Sequence, residues 1–105
     1  MLKAPNRRPT LPGEILYEHF LKMRKITIVD FSSAIDCSRK HLSNIIHGRA
    51  RIEAELATRI SEALETTPQF WLNLQNAVDL WDAKQKIKDW HPSRIFPAIA
   101  AITAS

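Results

Sequence analysis

The sequence is poor in the residues and patterns that mark an exported or membrane-bound protein. Its 105 residues include one cysteine, Cys37, which excludes an internal disulfide and fits a reducing compartment. No apolar run approaches the ~20 residues that a membrane-spanning helix needs. The opening stretch MLKAPNRRPTLPG lacks the apolar centre of a secretory signal. We therefore expect a soluble protein of the cytoplasm with no membrane partner.

Glycines and metal-ligand clusters are also scarce. The two glycines, Gly13 and Gly48, form no glycine-rich phosphate loop. His41 and His47 stand six residues apart with no cysteine or acid at ligand spacing, so we expect no metal site. Cys37 is interpreted as a buried, small apolar residue in a turn. A catalytic role would need a base, and His41 is the only nearby candidate. The prediction is a protein that is not an enzyme and binds no cofactor.

The chain also lacks the alternating pattern of strands, and helical spacing of apolar residues dominates it. With 45% hydrophobic residues it can build one ordinary core. Capping residues, prolines and one glycine mark helices that begin near Pro12, Thr27, Ser38, Glu53 and Thr67. The third, fourth and fifth helices should end near His47, Leu64 and Trp90. The predicted architecture is an all-α domain at residues 12–90, between a flexible basic arm at 1–11 and a tail at 91–105.

Apolar spacing also predicts which side of each helix faces inward. The expected inward residues are Ile15, Leu16, His19, Phe20 and Met23 in the first helix, Ile28, Phe31 and Ile35 in the second, Leu42, Ile45 and Ile46 in the third, and Leu56, Ile60 and Leu64 in the fourth. Asp36 should take the tight turn after the second helix, because aspartate tolerates the left-handed conformation better than most residues.

Only Asp36 and Cys37 separate the second and third helices. This link is too short for antiparallel packing and fits a helix-turn-helix at about residues 27–47, whose second helix enters the major groove of DNA. The outward edge of that helix is basic, and no acid occurs between Asp36 and Glu53. A solvated helix that reads nothing would show a similar polar edge, so the third helix alone leaves both interpretations open.

The predicted DNA contacts fall into two sets. Arginine and lysine can bond guanine, asparagine can bond adenine, and serine serves either a base or a phosphate. The base-contacting set is Arg39, Lys40, Ser43 and Asn44. The phosphate-contacting set is Thr27, Ser38, His47, Arg49 and Arg51.

A wide apolar stripe runs along the fifth helix. Its main residues are Phe70, Trp71, Leu74, Val78 and Trp81. Two interpretations stay open: the stripe completes the core, or part of it forms a symmetric dimer interface. The dimer is the prediction carried forward, because two-fold dimers match two-fold sites on DNA.

Three segments carry a resemblance to a known family. Residues 26–48, ITIVDFSSAIDCSRKHLSNIIHG, resemble the helix-turn-helix of phage-repressor-like (Xre-type) DNA-binding domains. RPTLPGEILYEHFL at 8–21 resembles the opening of HigA-type antitoxins, and FWLNLQNAVDLWDA at 70–83 resembles the signature after that family's fourth helix. The resemblance covers roughly residues 8–88. It implies a five-helix phage-repressor-like domain with a long C-terminal helix.

The resemblance also implies a function. Members of the family are homodimers that bind double-stranded DNA at the operator of their own operon and repress it. They also bind and silence a partner toxin, usually a small HigB-like mRNA endonuclease. Arg39, Lys40 and Asn44 match the family's main base-facing positions, and Ser38 and Ser43 match flanking contacts.

The start of the second helix departs from the family pattern. Ile28 and Val29 stand where polar residues are usual, and one of those commonly bonds a phosphate. Ser32 replaces the usual small alanine, and Asp36 replaces the turn glycine. Two alternatives to the antitoxin therefore stay open: a stand-alone repressor without a toxin, and a protein-interaction module that no longer reads DNA.

Overall fold

Five helices follow one another in the computed structural model, which describes residues 7–99. Helix α1 is α-helical over Pro12–Ile15 and continues as a π-helix over Leu16–Leu21. It is followed by α2 (Ile28–Ala34), α3 (Arg39–Ile46), α4 (Ala54–Leu64) and α5 (Pro68–Lys86). No strand occurs within residues 7–99, so the predicted all-α class with five helices is confirmed. Parts of the predicted arm (1–6) and tail (100–105) lie outside the described residues.

Side-chain caps mark the starts of α2, α3 and α5 at the predicted residues. The hydroxyl oxygens of Thr27, Ser38 and Thr67 accept hydrogen bonds from the backbone N–H three residues on, at 3.0, 3.0 and 3.2 Å. Asp36 takes the left-handed conformation (φ 53°), and Gly48 does so after α3 (φ 76°). The two turns that flank α3 are therefore fixed by residues within or next to them.

The inward face of α1 differs from the prediction. Met23 is 74% exposed and His19 is exposed, whereas Leu16 and Leu21 are fully buried. His19 lies in the π-helical segment, where the N–H of Lys22 bonds the carbonyl of Tyr17, five residues back, at 2.9 Å. With this wider winding, Leu21 follows Leu16 as the next fully buried position, five residues on. Met23 lies beyond the helix, in the turn at residues 22–25.

One core joins all five helices. It contains Leu16, Leu21, Phe31, Ile35, Leu42, Ile45, Ile52, Ala57, Ile60, Leu64 and Trp71. Helix α3 packs against α1 and α2, and α5 packs against α1 and α4. The recognition helix of the predicted motif is thus held from two sides by the body of the domain.

The dimer-interface prediction needs a correction at two residues. Trp71 is fully buried and Val78 is 2% exposed, so both belong to the interior of the protomer. The indole N–H of Trp71 donates to the Thr66 hydroxyl at 2.8 Å, which satisfies its one polar atom. Phe70 (39% exposed), Leu74 and Trp81 stay at least partly accessible.

Helix α5 ends four residues earlier than predicted, at Lys86. A turn closed by the N–H of Trp90 and the carbonyl of Ile87 follows it. Pro92 disfavours helix in the residue before it, which fits an end ahead of His91. No described helix in residues 7–99 is long and apolar enough to span a bilayer.

Candidate nucleic-acid interface

The turn between α2 and α3 is held by local and long-range hydrogen bonds. The N–H of Cys37 bonds the carbonyl of Ser32 at 2.9 Å and closes the turn. Arg59, on α4, donates to the carbonyls of Ile35 (3.3 Å) and Asp36 (2.9 Å). This role of Arg59 escaped the sequence analysis, because its partners lie 23 and 24 residues away. These hydrogen bonds fix the turn and so the direction of α3 relative to α2.

Cys37 is half-buried in this turn, in agreement with its interpretation as a turn residue. Burial raises the pKa of the thiol, which keeps it protonated near neutral pH.

The four predicted base-contacting residues share the outer edge of α3. Leu42 and Ile45 anchor the helix inward with at most 1% exposure. Arg39 and Lys40 are exposed, and Ser43 and Asn44 are half-buried. Within residues 7–99, neither Arg39 nor Lys40 forms an ion pair. Their charges are therefore available to an anionic partner.

The two capping hydroxyls of the predicted phosphate set keep a free donor. Thr27 and Ser38 use their oxygens to accept N–H groups of their own helices. A hydroxyl that accepts through its oxygen can still donate its hydrogen. Both side chains are exposed, at the starts of α2 and α3. They can therefore donate to a phosphate without giving up their caps.

His47 and Arg49 differ in the N–H donors that they can offer to a phosphate. The Nδ1–H of His47 donates to the carbonyl of Ser43 at 2.8 Å, so a neutral His47 ring carries only a lone pair at Nε2. Only the protonated ring offers a second N–H to a phosphate. The Nε–H of Arg49 donates to Asn44 Oδ1 at 3.2 Å, which leaves its terminal nitrogens exposed and orients the Asn44 amide.

Arg51, the last of the predicted phosphate contacts, is bound within the domain. Its two terminal nitrogens donate to the two carboxylate oxygens of Asp79, on α5, at 3.0 and 2.7 Å. Asp79 Oδ1 also accepts from Gln75 Nε2 at 3.0 Å. The hydrogen bond from Arg51 is the main reason that the pKa of Asp79 lies below its ordinary value, and Gln75 acts in the same direction.

A second ion pair of the same kind ties down the end of the arm. Arg8 donates to both carboxylate oxygens of Asp82 at 2.9 and 2.8 Å. Together, Asp79 and Asp82 bind one arginine that precedes α1 and one that follows α3. Neither carboxylate was singled out in the sequence, since their partners are 28 and 74 residues distant.

A close backbone contact sets the position of α3 against α1. Gly13 is buried, and a Cβ built on it would lie 1.8 Å from the carbonyl oxygen of Ile45. Only glycine allows α1 to approach the backbone of α3 this closely. Gly13 follows the predicted helix start at Pro12, but no local pattern predicts this contact with a residue more than thirty positions away.

Comparisons with known proteins agree with this geometry. A family model described as helix-turn-helix matches residues 19–71. Antitoxin HigA-1 of Vibrio cholerae is 38% identical over 88 residues, 84% of this chain and 83% of its own length. The solved structure of antitoxin GraA is similar with a TM-score of 0.79 and 38% identity, covering 86% of this chain and all of that one. A structure of GraA in complex with its operator gives a TM-score of 0.77 and 36% identity, covering 94% and 99%.

The fold and the exposed edge of α3 define a helix-turn-helix domain of the Xre type. Within that class, the identity and mutual coverage with HigA-1 show a narrower relationship. The chain belongs to the family of HigA-type antitoxins.

Proposed function

We propose that this protein binds the operator of its own operon as a repressor and neutralises a partner toxin in the cytoplasm. The observation that carries the DNA-binding half is the edge of α3, where Arg39, Lys40, Ser43 and Asn44 share one accessible surface on an anchored helix. The operator complex of the GraA relative supports it. Toxin neutralisation is proposed because similar proteins are named antitoxins.

In the proposed complex, α3 lies in the major groove, and base contacts come from Arg39, Lys40, Ser43 and Asn44. Thr27, Ser38, Arg49 and the protonated ring of His47 bind phosphates on either side. Thr27 stands one residue before Ile28, so its hydroxyl can replace the polar group that the family usually carries at the start of α2. Arg51 is left out of this set because Asp79 holds its guanidinium.

The DNA proposal is tested by titrating a labelled duplex from upstream of the gene and a scrambled duplex. Arg39→Ala should cost about 1–3 kcal/mol for the upstream duplex and relax specificity at one base position. The exposed cation Lys84, on α5, provides the matched control: Lys84→Ala should leave the ratio of specific to scrambled affinity unchanged. Equal affinities of the wild-type protein for both duplexes would refute sequence-specific binding.

We further propose a homodimer that uses the outer side of α5. Phe70, Leu74 and Trp81 remain of the predicted interface. Leu80 (53% exposed), on the solvent side of α5, and Ile87 (50% exposed), at its C-terminal end, add exposed apolar area next to them. Light scattering at tens of micromolar should give a dimer for the wild type and for Glu62→Ala, and a monomer for Leu80→Lys. A wild-type monomer at that concentration would contradict the proposal.

Toxin neutralisation is tested by growth. Expression of the small open reading frame beside the gene should arrest growth, and co-expression of this protein should relieve the arrest. Failure to relieve the arrest, with operator binding intact, would favour a stand-alone repressor of the same fold.

A further inference from the structure

We propose that Asp79 holds Arg51 away from DNA and so limits the affinity of the protein for its operator. This inference rests on the proposed DNA-binding function. It concerns a residue on α5, outside the helix-turn-helix, that acts on a cation in the loop after the recognition helix.

Arg51 and Asp79 form an ion pair with two hydrogen bonds. Arg51 uses both terminal nitrogens on Asp79, at 3.0 and 2.7 Å. The guanidinium has a second donor edge, formed by Nε–H and one terminal N–H, and Arg8 uses that edge on Asp82. The pair with Asp79 leaves this edge of Arg51 unused, but the carboxylate compensates the charge of the guanidinium and fixes its position. A phosphate that binds both terminal nitrogens of Arg51 must therefore displace Asp79.

Asp79 is itself held in place by a neighbouring side chain of α5. Gln75 is 7% exposed, its Nε2 donates to Asp79 Oδ1 at 3.0 Å, and its Oε1 accepts the N–H of Ile52 at 2.8 Å. One buried side chain thus fixes both the carboxylate and the residue that follows Arg51. The low pKa of Asp79 keeps the carboxylate charged at neutral pH. The competitor for Arg51 is therefore a fixed, charged group.

A second arginine of the same loop, Arg49, differs from Arg51 in its partners. Among residues 7–99, the side chain of Arg49 bonds only the neutral amide of Asn44, through its Nε, and no carboxylate there compensates its positive charge. Two residues later, Arg51 is compensated by Asp79. Of these two arginines next to α3, Arg49 keeps a charge that a phosphate can bind, whereas the charge of Arg51 is compensated within the domain.

Salt dependence of operator binding measures how many phosphates the protein neutralises. Each one adds about 0.9 to the slope of log K against log salt concentration. Asp79→Asn should release Arg51 to a phosphate. For each bound protomer it should steepen the slope by about 0.9 and tighten binding by up to about eight-fold at 0.1 M salt. Arg51→Gln alone should leave the wild-type slope unchanged.

The double variant Asp79→Asn with Arg51→Gln should return to the wild-type slope, because the released cation is then missing. Asp89→Asn is the charge control: it removes the same charge beyond the end of α5, from a residue that forms no ion pair in the described part of the chain. A loss of stability alone would not steepen the slope of the folded protein. Circular dichroism of each variant verifies that folded protein is titrated.

Three results would overturn the inference. They are an Asp79→Asn slope no steeper than that of Asp89→Asn, a double variant as steep as Asp79→Asn, and a slope for Arg51→Gln that is shallower than wild type by about 0.9. The last result also decides the matter if Asp79→Asn does not fold. A wild-type protein that binds upstream and scrambled duplexes equally would instead refute the proposed function, so the two failures are distinguishable.

Discussion

Replacing Gly13 by alanine should force α1 away from the recognition helix. The new Cβ would lie 1.8 Å from the carbonyl oxygen of Ile45 and 2.8 Å from the Cα of Ile46. Both are backbone atoms of α3. The Ile45 side chain is 1% exposed, and its carbonyl accepts the N–H of Gly48 at 3.1 Å. Because α3 is held by its core and its cap, α1 must shift by more than ~1 Å.

Two opposing effects set the size of the change. Overpacking of a close contact costs about 1–3 kcal/mol, and contact with fixed backbone belongs at the upper end of that range. Alanine in a helix gains about 0.5–1 kcal/mol over glycine. The net expectation is a loss of about 1–2 kcal/mol, and at about 4–8 °C per kcal/mol the Tm falls by at least about 4 °C.

Thermal unfolding followed by circular dichroism measures this change directly. Glu14→Ala is the matched control, since Glu14 is the next residue and is exposed, and its Tm should stay within about 2 °C of wild type. Gly13→Ala should also weaken operator binding, because the position of α3 depends on α1. A Gly13→Ala variant as stable as the wild type, or more stable, would refute the close-contact argument.

Three further predictions concern the network on α5 and the helix caps. Gln75→Leu should lower the free energy of unfolding in urea by roughly 1–3 kcal/mol, because it leaves the buried N–H of Ile52 without an acceptor. The control Gln69→Leu, at an exposed site of the same helix, should lower it by under about 0.5 kcal/mol. The pKa of Asp79 is lowered in the folded state, so the stabilisation that its carboxylate provides is present above the unfolded value of 3.8 and is lost as the pH falls below it. The difference in free energy of unfolding between wild type and Asp79→Asn should therefore be larger at pH 7 than at pH 3. An equal difference at the two pH values would contradict this. Ser38→Ala and Thr67→Ala should each cost about 1 kcal/mol in stability, but only Ser38→Ala should also weaken operator binding, since it alone caps α3.

The features that the sequence predicted correctly depend on interactions within short segments of the chain. The caps Thr27 and Ser38 act on N–H groups three residues away, and Asp36 and Gly48 need only their own backbone conformations. The inward anchors Leu42 and Ile45 follow from the regular winding of α3. A helix-turn-helix is a local motif, so most of its geometry is readable from one short segment.

The features that were missed depend on winding or on distant contacts. No spacing rule shows that α1 becomes π-helical after Ile15 and ends at Leu21, which leaves Met23 exposed in the following turn. The contacts of Arg59 with the turn and of Arg51 with Asp79 join residues more than twenty positions apart. A basic loop residue looks free in a sequence because its neutralising carboxylate comes from another helix. The phosphate role predicted for Arg51 could therefore not be weighed before the fold was known.

Helix α5 shows why an apolar stripe alone does not separate core from interface. Its inward side is formed by Trp71, Gln75 and Val78, so a polar residue occupies a core position between two apolar ones. Gln75 is tolerated there because the N–H of Ile52 needs an acceptor and Asp79 accepts from its amide. Apolar spacing alone places Leu74, rather than Gln75, on the inward side of α5. The predicted inward face is therefore shifted by one residue from the observed one. With the interior placed at Gln75, Leu80 moves to the outer side, where a second copy of the chain can cover it.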